Sequence, residues 1–406
     1  MQYSPHLPTA HISLEAIASN FSHILALTSA SRKKCASKAQ SAPLHLPGGG
    51  DKDFLWPPQL AVVKADAYGH GHIETARRLQ ERGALMFASG SVQESVQLRE
   101  GLAGREPFVA ILSLLGPTQA KDVELCLAHG IIPVIHCFEQ LPWLSAAGSS
   151  LSVALKFNTG MSRLGFNEDE TPRLLQALAA MPMVRPVIAL SHLASADSDQ
   201  GREELLRQGR IFARILEGLR AVFPDLAASL GNSAGTLLAD DIAALIGPHV
   251  CRPGISLYGG NPFAGTSLEA LGNGLLPAMS VSAPIIAVRE LRPGDGLGYG
   301  HTFAAESKTP IAIVATGYAD CYSRGLGNKG FMCVDGKRAP VLGRVSMQMT
   351  AAGLDELPAG ARPSVAWLLG GPSDNALQAV ELARLWGTIT YEVFCLLGYN
   401  NRVYLD

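Results

Sequence analysis

The sequence predicts an α/β chain in which a (β/α)8 barrel of the TIM type is followed by a mostly β C-terminal domain. Its 406 residues exceed the ~100–200 residues of one typical domain. Between residues 59 and 252, eight short apolar segments alternate with amphipathic helical segments. After residue 276, strand-like segments and a hairpin signal replace this alternation. We therefore expect a barrel domain over residues 1–273 and a mostly β domain over residues 274–406.

Composition narrows the class of protein. Hydrophobic residues make up 47% of the chain and charged residues 17%, which is typical of a folded protein with a large core. The net charge of −2 provides no basic field for nucleic acid. No apolar run approaches the ~18 residues of a membrane span. We expect neither nucleic acid nor a membrane among the partners.

Cysteine usage and the N-terminus favour a cytoplasmic location. The seven cysteines are odd in number and scattered, and no CxxC pair occurs. Residues 1–13 are too polar, and too interrupted by proline, for a signal peptide.

The first periodic segment predicts a helix over residues 12–27. Ser13 is a favourable N-cap, and apolar residues recur at helical spacing at Leu14, Ile17, Phe21 and Ile24. Residues 28–53 are rich in Ser, Lys, Ala, Pro and Gly, so we expect a solvated loop insertion there.

Eight βα steps follow. The predicted strands are Leu60–Lys64, Met86–Ser89, Phe108–Leu114, Ile131–His136, Leu151–Phe157, Val184–Ser191, Leu226–Gly231 and His249–Arg252. Runs rich in Val, Ile and Leu are typical of a parallel sheet buried on both faces. The number of steps favours a closed barrel, although periodicity alone also permits an open doubly wound sheet.

The second domain is predicted from shorter signals. The strand-like segments are Ala283–Glu290, Pro310–Thr316, Phe331–Val334, Pro340–Gly343, Val365–Leu369 and Ile389–Leu397, with one helix at Ala376–Trp386. Asp335-Gly336 marks a hairpin turn between two of them.

Polar residues cluster where the barrel strands end, which is where barrel enzymes place their reactive groups. They are Lys64, Lys156, His192, Asn232, Ser233 and Arg252. A lysine leaving a Val-rich strand is partly desolvated, which lowers its pKa and suits a Schiff-base amine. Ser233 and the Arg252–Ile255 segment would lie at the loops where barrels usually bind phosphate. Together they suggest pyridoxal 5'-phosphate (PLP), although a solvated lysine and a hydrogen-bonded histidine are the ordinary alternatives.

A series of motifs makes the family recognisable. Residues 61–71 read AVVKADAYGHG, which closely resembles the PLP-lysine motif of alanine racemases, the barrel-type PLP enzymes. The resemblance continues in order through Leu155–Phe166, Ser191–Asp197, Asn232–Thr236, Arg252–Gly259, Gly298–Gly300, Gly317–Asp320, Gly343–Met347 and Tyr391–Tyr399. It therefore covers nearly the whole chain, including the second domain.

The resemblance implies how the cofactor would be bound. Lys64 would hold PLP covalently, Arg252 would face the pyridine nitrogen, and His192 would pack beside the ring. Arg163 would contact the phenolic oxygen. The phosphate would be held by Tyr68, Ser233, the amides of Gly254 and Ile255, and Tyr399.

The resemblance also implies a two-base racemisation of alanine in a homodimer with shared active sites. Lys64 would be one base and Tyr299, from the other subunit, the second. The substrate carboxylate would bind Arg163, oriented by a carbamylated Lys156, and the backbone of the partner's Met347. Tyr318 and Arg324 would line the entrance. The product would be D-alanine for peptidoglycan.

Three residues depart from the family pattern. Asn158 and Gln348 stand where the family usually has Asp, and Cys321 stands where it usually has Gly. The two amides remove negative charge near the carboxylate site, so we hypothesise some tolerance of larger or polar substrates. For Cys321, a buried small hydrophobe is favoured over a reactive thiol.

Three other functions are alternatives to alanine racemisation. A broad-specificity amino-acid racemase would turn over several amino acids, and a non-catalytic PLP-binding protein would bind PLP without exchanging α-protons. A metal-dependent hydrolase is disfavoured, because His70, His72, His192 and His301 lack ligand spacing of a known kind.

Overall fold

The computed structural model describes residues 8–35, 56–145 and 148–406. The described residues form two compact units. The barrel unit contains residues within Ile17–Ala67 together with His72–Leu276. The β unit contains the residues up to Ala16, Tyr68–Gly71 and Pro277–Asp406.

The strands of the described ranges are short except for one. They are β1 (Thr9–Ser13), β2 (Ala61–Val62), β3 (Met86–Ser89), β4 (Ala110–Ser113), β5 (Ile131–Ile135), β6 (Leu151–Lys156), β7 (Val184–Leu190), β8 (Ala227–Ser229), β9 (Met279–Leu291), β10 (Gly296–Leu297), β11 (Phe303–Ala304), β12 (Thr309–Val314), β13 (Phe331–Val334), β14 (Lys337–Leu342), β15 (Thr350–Gly353), β16 (Val365–Leu369) and β17 (Asn401–Leu405).

The helices fall mainly in the barrel unit. They are α1 (Leu14–Cys35), α2 (Lys64–Tyr68), α3 (His72–Glu81), α4 (Val92–Gly101), α5 (Ala120–His129), α6 (Leu141–Ser145), α7 (Thr171–Ala179), α8 (Gly201–Arg220), α9 (Ser233–Leu237), α10 (Ala239–Ile246), α11 (Ala379–Trp386) and α12 (Thr390–Leu397). No helix in the described ranges is long and apolar enough to span a bilayer.

The barrel contains seven regular parallel strands, β2 to β8, in sequence order. The predicted eighth strand, His249–Arg252, is an extended segment that closes the ring by backbone hydrogen bonds. On one side, the N–H groups of Val250 and Arg252 donate to the carbonyls of Ala228 and Gly231. On the other side, the Cys251 N–H donates to the Pro58 carbonyl at 2.9 Å, and the Cys251 carbonyl accepts the Leu60 N–H at 2.8 Å. Prolines at 57, 58 and 253 lack N–H groups, so the ladder shrinks to one bridge between Gln59 and Cys251.

Helix α1 extends beyond the predicted range. As predicted, Ser13 caps it, because its Oγ accepts the Ala16 N–H at 3.0 Å. The helix continues to Cys35, so residues 28–35 are helical and the prediction of a loop from residue 28 is wrong there. Arg32, Lys33 and Lys34 occupy its last turn, where cations interact favourably with the helix dipole. Residues 36–53 of the predicted insertion lie outside the described ranges.

The β unit is an antiparallel sheet with one parallel pair. The strand order is β12-β15-β14-β13-β16-β9-β1-β17, and β12 also pairs with β9. Strand β9 is long enough to pair with β1 and β16 along its first half and with β12 along its second. The predicted hairpin at Asp335-Gly336 joins β13 to β14, with φ values of 45° and 76° that suit a tight turn.

One predicted strand of this unit is a helix. Residues 389–397 are rich in β-favouring side chains, but they form helix α12. Val393, Phe394 and Leu397 are its buried residues, and their spacing matches one helical face. Tertiary burial of that face therefore outweighs local β propensity.

Candidate active site

A left-handed turn follows the candidate cofactor lysine. Strand β2 ends beside β3, where the Val63 N–H donates to the Ala88 carbonyl at 2.8 Å. Lys64 follows it, half-buried. From Ala65 to Tyr68, four consecutive non-glycine residues have φ between 52° and 55°. This conformation costs ~1–2 kcal/mol per L-residue, so surrounding contacts must hold α2 in place.

Cationic groups converge on the strand ends of the barrel. Burial, followed by the charges of Arg252, Arg163 and Lys64, lowers the pKa of Lys156 to about 8. Burial and the same cations hold the pKa of His192 well below 6.5, so its imidazole is neutral at neutral pH. The barrel therefore brings together five of the predicted site residues, with four cations and one neutral imidazole.

Arg252 is held rigidly within this group. Its Nη1 donates to the Ser229 hydroxyl, and its Nη2 donates to the carbonyls of Ser191 and Leu230. Burial lowers the pKa of Arg252 to about 10, which leaves it protonated at neutral pH. The guanidinium is thus a fixed cation with a fixed orientation.

A second predicted group brings the Ser233 hydroxyl together with backbone N–H groups of the Gly254–Ser256 segment. The Ser233 hydroxyl, at the start of α9, accepts the Gly254 N–H at 2.9 Å and the Ser256 N–H at 3.4 Å. Ile255 lies between these amides, in a short 3-10 turn. A hydroxyl and several N–H groups in one place are the donors that a phosphate needs. The Ser256 amide was not predicted.

The loop that carries Arg163 is organised by Asn158. Its Oδ1 accepts the N–H groups of Gly160 and Ser162 at 3.1 and 2.9 Å, and its Nδ2 donates to Asn167 at 3.0 Å. The amide that departs from the family pattern therefore shapes the backbone immediately before Arg163. The Arg163 side chain itself is exposed.

In the β unit, Tyr68 packs against α12, and Tyr399 lies just after that helix ends. Tyr68 is buried, and its ring centroid lies 6.0 Å from that of Tyr391. Burial, Tyr391 and Cys395 raise the pKa of Tyr68, so its phenol stays protonated. A Cβ on Gly398 would lie 2.1 Å from the Gly69 carbonyl oxygen, so only glycine fits there. Tyr399 follows, 80% exposed.

The remaining predicted residues lie on exposed loops of the β unit. Tyr299 is 71% exposed, Met347 58% and Tyr318 45%, and Arg324 is also exposed. The Tyr318 N–H donates to the Ser346 carbonyl at 3.1 Å, which ties the loops of Tyr318 and Met347 together. The bond places the exposed Tyr318 and Met347 in neighbouring loops, and exposed apolar patches are typical of surfaces that another molecule covers.

The two other residues that depart from the family pattern, Gln348 and Cys321, lie in different surroundings. Gln348 is exposed next to Met347. Cys321 has φ of 62°, the left-handed conformation that favours the glycine of the family pattern. Cys321 is only half-buried, so the prediction of a buried side chain is wrong, and burial raises its pKa.

Sequence reasoning missed three residues that organise the site. Glu94 accepts the Asp66 N–H at 3.0 Å within the left-handed turn. Gln208 is buried, and it binds the Thr159 hydroxyl and the His192 carbonyl. Asn328 links the Tyr299 hairpin to Gly343 through bonds to the Thr302 carbonyl and the Gly343 N–H. Of these three residues, only Glu94 could have been recognised from the local sequence, because it lies three residues after the N-cap Ser91, the spacing of a capping box.

Fold and site together define a two-domain barrel protein with clustered cations and phosphate-type donors at its strand ends. The chain belongs to the alanine racemase family. Models of the alanine racemase N-terminal and C-terminal domains match residues 57–262 and 278–404.

Similar proteins carry the same family name. The alanine racemase of Nitratidesulfovibrio vulgaris (strain Miyazaki F) is 49% identical over 354 residues, which cover 86% of this chain and 92% of that protein. Among solved structures, the biosynthetic alanine racemase of Pseudomonas aeruginosa is 33% identical with a TM-score of 0.76, covering 99% of this chain and all of that one. Alanine racemase from Bartonella henselae, with covalently bound pyridoxal phosphate, is 25% identical with a TM-score of 0.80, at the same coverage.

Proposed function

We propose that this protein interconverts L-alanine and D-alanine with PLP bound to Lys64. The observation that carries the proposal is the convergence of Lys64, Lys156, Arg163 and Arg252 around a neutral His192. Arg163 and Arg252 stay cationic whatever the state of Lys156, and cations in one place stabilise bound anions such as PLP and an amino-acid carboxylate.

The residues present fit the cofactor. Ser233, the amides of Gly254 and Ile255, Tyr68 and Tyr399 are the proposed donors to its phosphate. The Ser256 amide, which also lies at the Ser233 hydroxyl, is a further candidate. The hydrogen bonds of Arg252 hold its guanidinium in one orientation, in which it would face the ring nitrogen, and the uncharged His192 would pack beside the ring. Arg163 is a candidate for its phenolic oxygen. PLP supplies the electron sink that makes the α-proton of the amino acid removable.

Racemisation needs one base on each face of the α-carbon, because the proton leaves one face and returns to the other. We assign these roles to Lys64 and Tyr299. The exposure of Tyr299 and Met347 supports a homodimer in which these residues enter the active site of the partner subunit. Tyr318 and Arg324 would then line its entrance.

Arg163 and Lys156 would bind and orient the substrate carboxylate. The guanidinium of Arg163 suits a carboxylate, and the backbone of Met347 is the second proposed contact. Because Lys156 has a pKa of about 8, a minor fraction of its amine is neutral at pH 7, and this fraction rises with pH. A neutral amine can add CO2 and release one proton to solvent, and the resulting carbamate anion would pair with Arg163.

The D-alanine produced would supply peptidoglycan synthesis in the cytoplasm. This assignment rests on family membership and on the cysteine pattern. The six cysteines with described side chains form no disulfide.

Replacing the two proposed bases tests the proposal. Lys64→Ala should abolish both racemisation and the visible absorbance of lysine-bound cofactor. Tyr299→Phe should keep that absorbance and lose racemisation. Lys121→Ala, which changes a lysine on α5, is the control. Racemisation by Lys64→Ala at the control's rate would contradict the assignment, and bound PLP without racemisation in the unmodified protein would favour the non-catalytic alternative.

A further inference from the structure

We propose that Glu94 is a positioning residue that keeps Lys64 in its reactive orientation by fixing the left-handed turn after it. The inference rests on the proposed function, since it assigns Glu94 a role only through Lys64. It begins from the conformation of α2, in which Ala65, Asp66 and Ala67 all have φ above 50°. Consecutive left-handed L-residues do not persist without specific contacts.

Two contacts hold the centre of the turn, and they act on the same residue. The backbone N–H of Asp66 donates to Glu94 Oε1 at 3.0 Å. The carboxylate of Asp66 accepts both the backbone N–H of His72 at 2.8 Å and His72 Nδ1 at 2.7 Å. Glu94 therefore fixes the backbone of Asp66, while His72 fixes its side chain.

The second carboxylate oxygen of Glu94 binds another backbone segment that lies next to Lys64. Glu94 Oε2 accepts the N–H of Gly90, the residue after β3. Gly90 borders Lys64, because a Cβ built on Gly90 would lie 3.7 Å from the Lys64 Cβ. One carboxylate thus joins two backbone segments next to Lys64, the turn that follows it and the Gly90 backbone beside it. A bidentate charged acceptor is suited to this, since both bonds are charge-assisted.

A helix-capping role is the competing explanation, because Glu94 lies in the first turn of α4. The actual N-cap is Ser91, whose hydroxyl accepts the Glu94 N–H at 3.1 Å. Ser91 thus stabilises the same helix terminus without touching the turn of Lys64. Ser91→Ala is therefore a matched control for loss of the cap.

The test compares Glu94→Ala, Glu94→Gln and Ser91→Ala as PLP-loaded full-length proteins. Displacing a reacting group by about 1 Å costs up to about 100-fold in rate, so we expect Glu94→Ala to lower kcat by about 10- to 100-fold. Glu94→Gln keeps one acceptor oxygen, so its kcat should lie between that of Glu94→Ala and that of the unmodified protein. Ser91→Ala should keep kcat within about twofold. Thermal unfolding establishes that each variant is folded.

Isotope effects separate misplacement of Lys64 from general damage. Enantiomers have equal free energies, so kcat/KM must fall by the same factor in both directions. With α-deuterated substrates, however, the isotope effect on kcat/KM should rise in the direction in which Lys64 removes the proton and fall in the reverse direction. General damage would change neither.

Hydrogen exchange provides a readout that does not depend on activity. In Glu94→Ala, amide exchange in a peptide covering residues 64–68 should accelerate, whereas Ser91→Ala should leave it unchanged. Unmodified kcat and isotope effects in both Glu94 variants, with Lys64→Ala inactive, would overturn the positioning role while the proposed function stands. If Glu94→Ala does not fold, Glu94→Gln decides by the same criteria. Absence of racemisation in the unmodified protein would instead overturn the proposed function.

Discussion

Nη2 of Arg252 lies 3.4 Å from Nδ1 of His192. Burial, reinforced by the Arg252 charge, keeps the pKa of His192 low enough that the imidazole is neutral. The same Nη2 donates to the carbonyls of Ser191 and Leu230, so the arginine is fixed independently of the histidine. The contact therefore joins a fixed cation to an uncharged ring, a suitable setting for an aromatic cofactor.

Replacing Arg252 by lysine should destabilise the barrel. A lysine cannot reproduce the bonds to Ser229, Ser191 and Leu230, and buried acceptors would lose their donors. We expect the free energy of unfolding to fall by about 1–3 kcal/mol, measured by urea denaturation. Arg210→Lys, on the exposed face of α8, is the control and should change it by less than about 0.5 kcal/mol. Equal stability of the two variants would show that these bonds contribute little.

Lys156 should add CO2 in a pH-dependent manner. Its pKa is lowered from 10.5 to about 8, so the neutral, nucleophilic amine increases as pH rises through about 8. Protein equilibrated with 13C-labelled bicarbonate should show a carbamate 13C resonance that is stronger at pH 8 than at pH 6. Lys156→Arg should lose the resonance and Lys121→Arg should keep it. A resonance that survives Lys156→Arg would assign the carbamate to another amine.

Two glycines of α8 should respond differently to alanine. A Cβ on Gly218 would find its nearest neighbour, Thr171 Cγ2, at 4.0 Å, whereas a Cβ on Gly209 would lie 2.4 Å from Leu245 Cδ1. Gly218→Ala should therefore raise the free energy of unfolding by about 0.5–1 kcal/mol through helix propensity. In Gly209→Ala, the steric clash of the new Cβ with Leu245 should cancel the stabilisation from helix propensity. Thermal denaturation of both variants measures the difference, and a larger gain at Gly209 would contradict the packing of α8 on α10.

Substrate breadth should depend on Asn158. An aspartate there could still accept the N–H groups of Gly160 and Ser162, but it could not donate to Asn167. We expect the unmodified protein to turn over L-serine slowly beside L-alanine, and Asn158→Asp to lower that ratio. The assay compares L-alanine, L-serine, L-lysine and L-arginine. Turnover of alanine alone by both proteins would exclude a broadened site.

Local patterns predicted the barrel well. The strands β3, β5 and β7 lie close to their predicted ranges, since runs of buried apolar residues are visible in sequence. The predicted eighth strand is not a regular strand, because the neighbouring prolines lack the N–H groups needed for β-sheet hydrogen bonds. The prediction of a strand over Ile389–Leu397 is wrong, because burial of one helical face outweighs the β propensity of these side chains and residues 390–397 form a helix.

Long-range relationships could not be read from local sequence. Strand β1 joins β9 and β17, which are hundreds of residues away, and nothing in residues 9–13 indicates these partners. The left-handed turn after Lys64 and its attachment to Glu94 likewise depend on contacts between α2 and the first turn of α4. Motif resemblance named the cofactor residues, but the contacts that hold them in place required the structure.

Exchange of the substrate α-proton with solvent is the most direct test of the central claim. In deuterated water, the PLP-loaded protein should incorporate deuterium at the α-carbon of both L-alanine and D-alanine, at rates matching racemisation, as detected by proton NMR and chiral chromatography. Lys64→Ala should show neither process, because one of the two bases is removed. Racemisation-competent protein that leaves the α-proton unexchanged, or exchange that persists fully in Lys64→Ala, would contradict the two-base account.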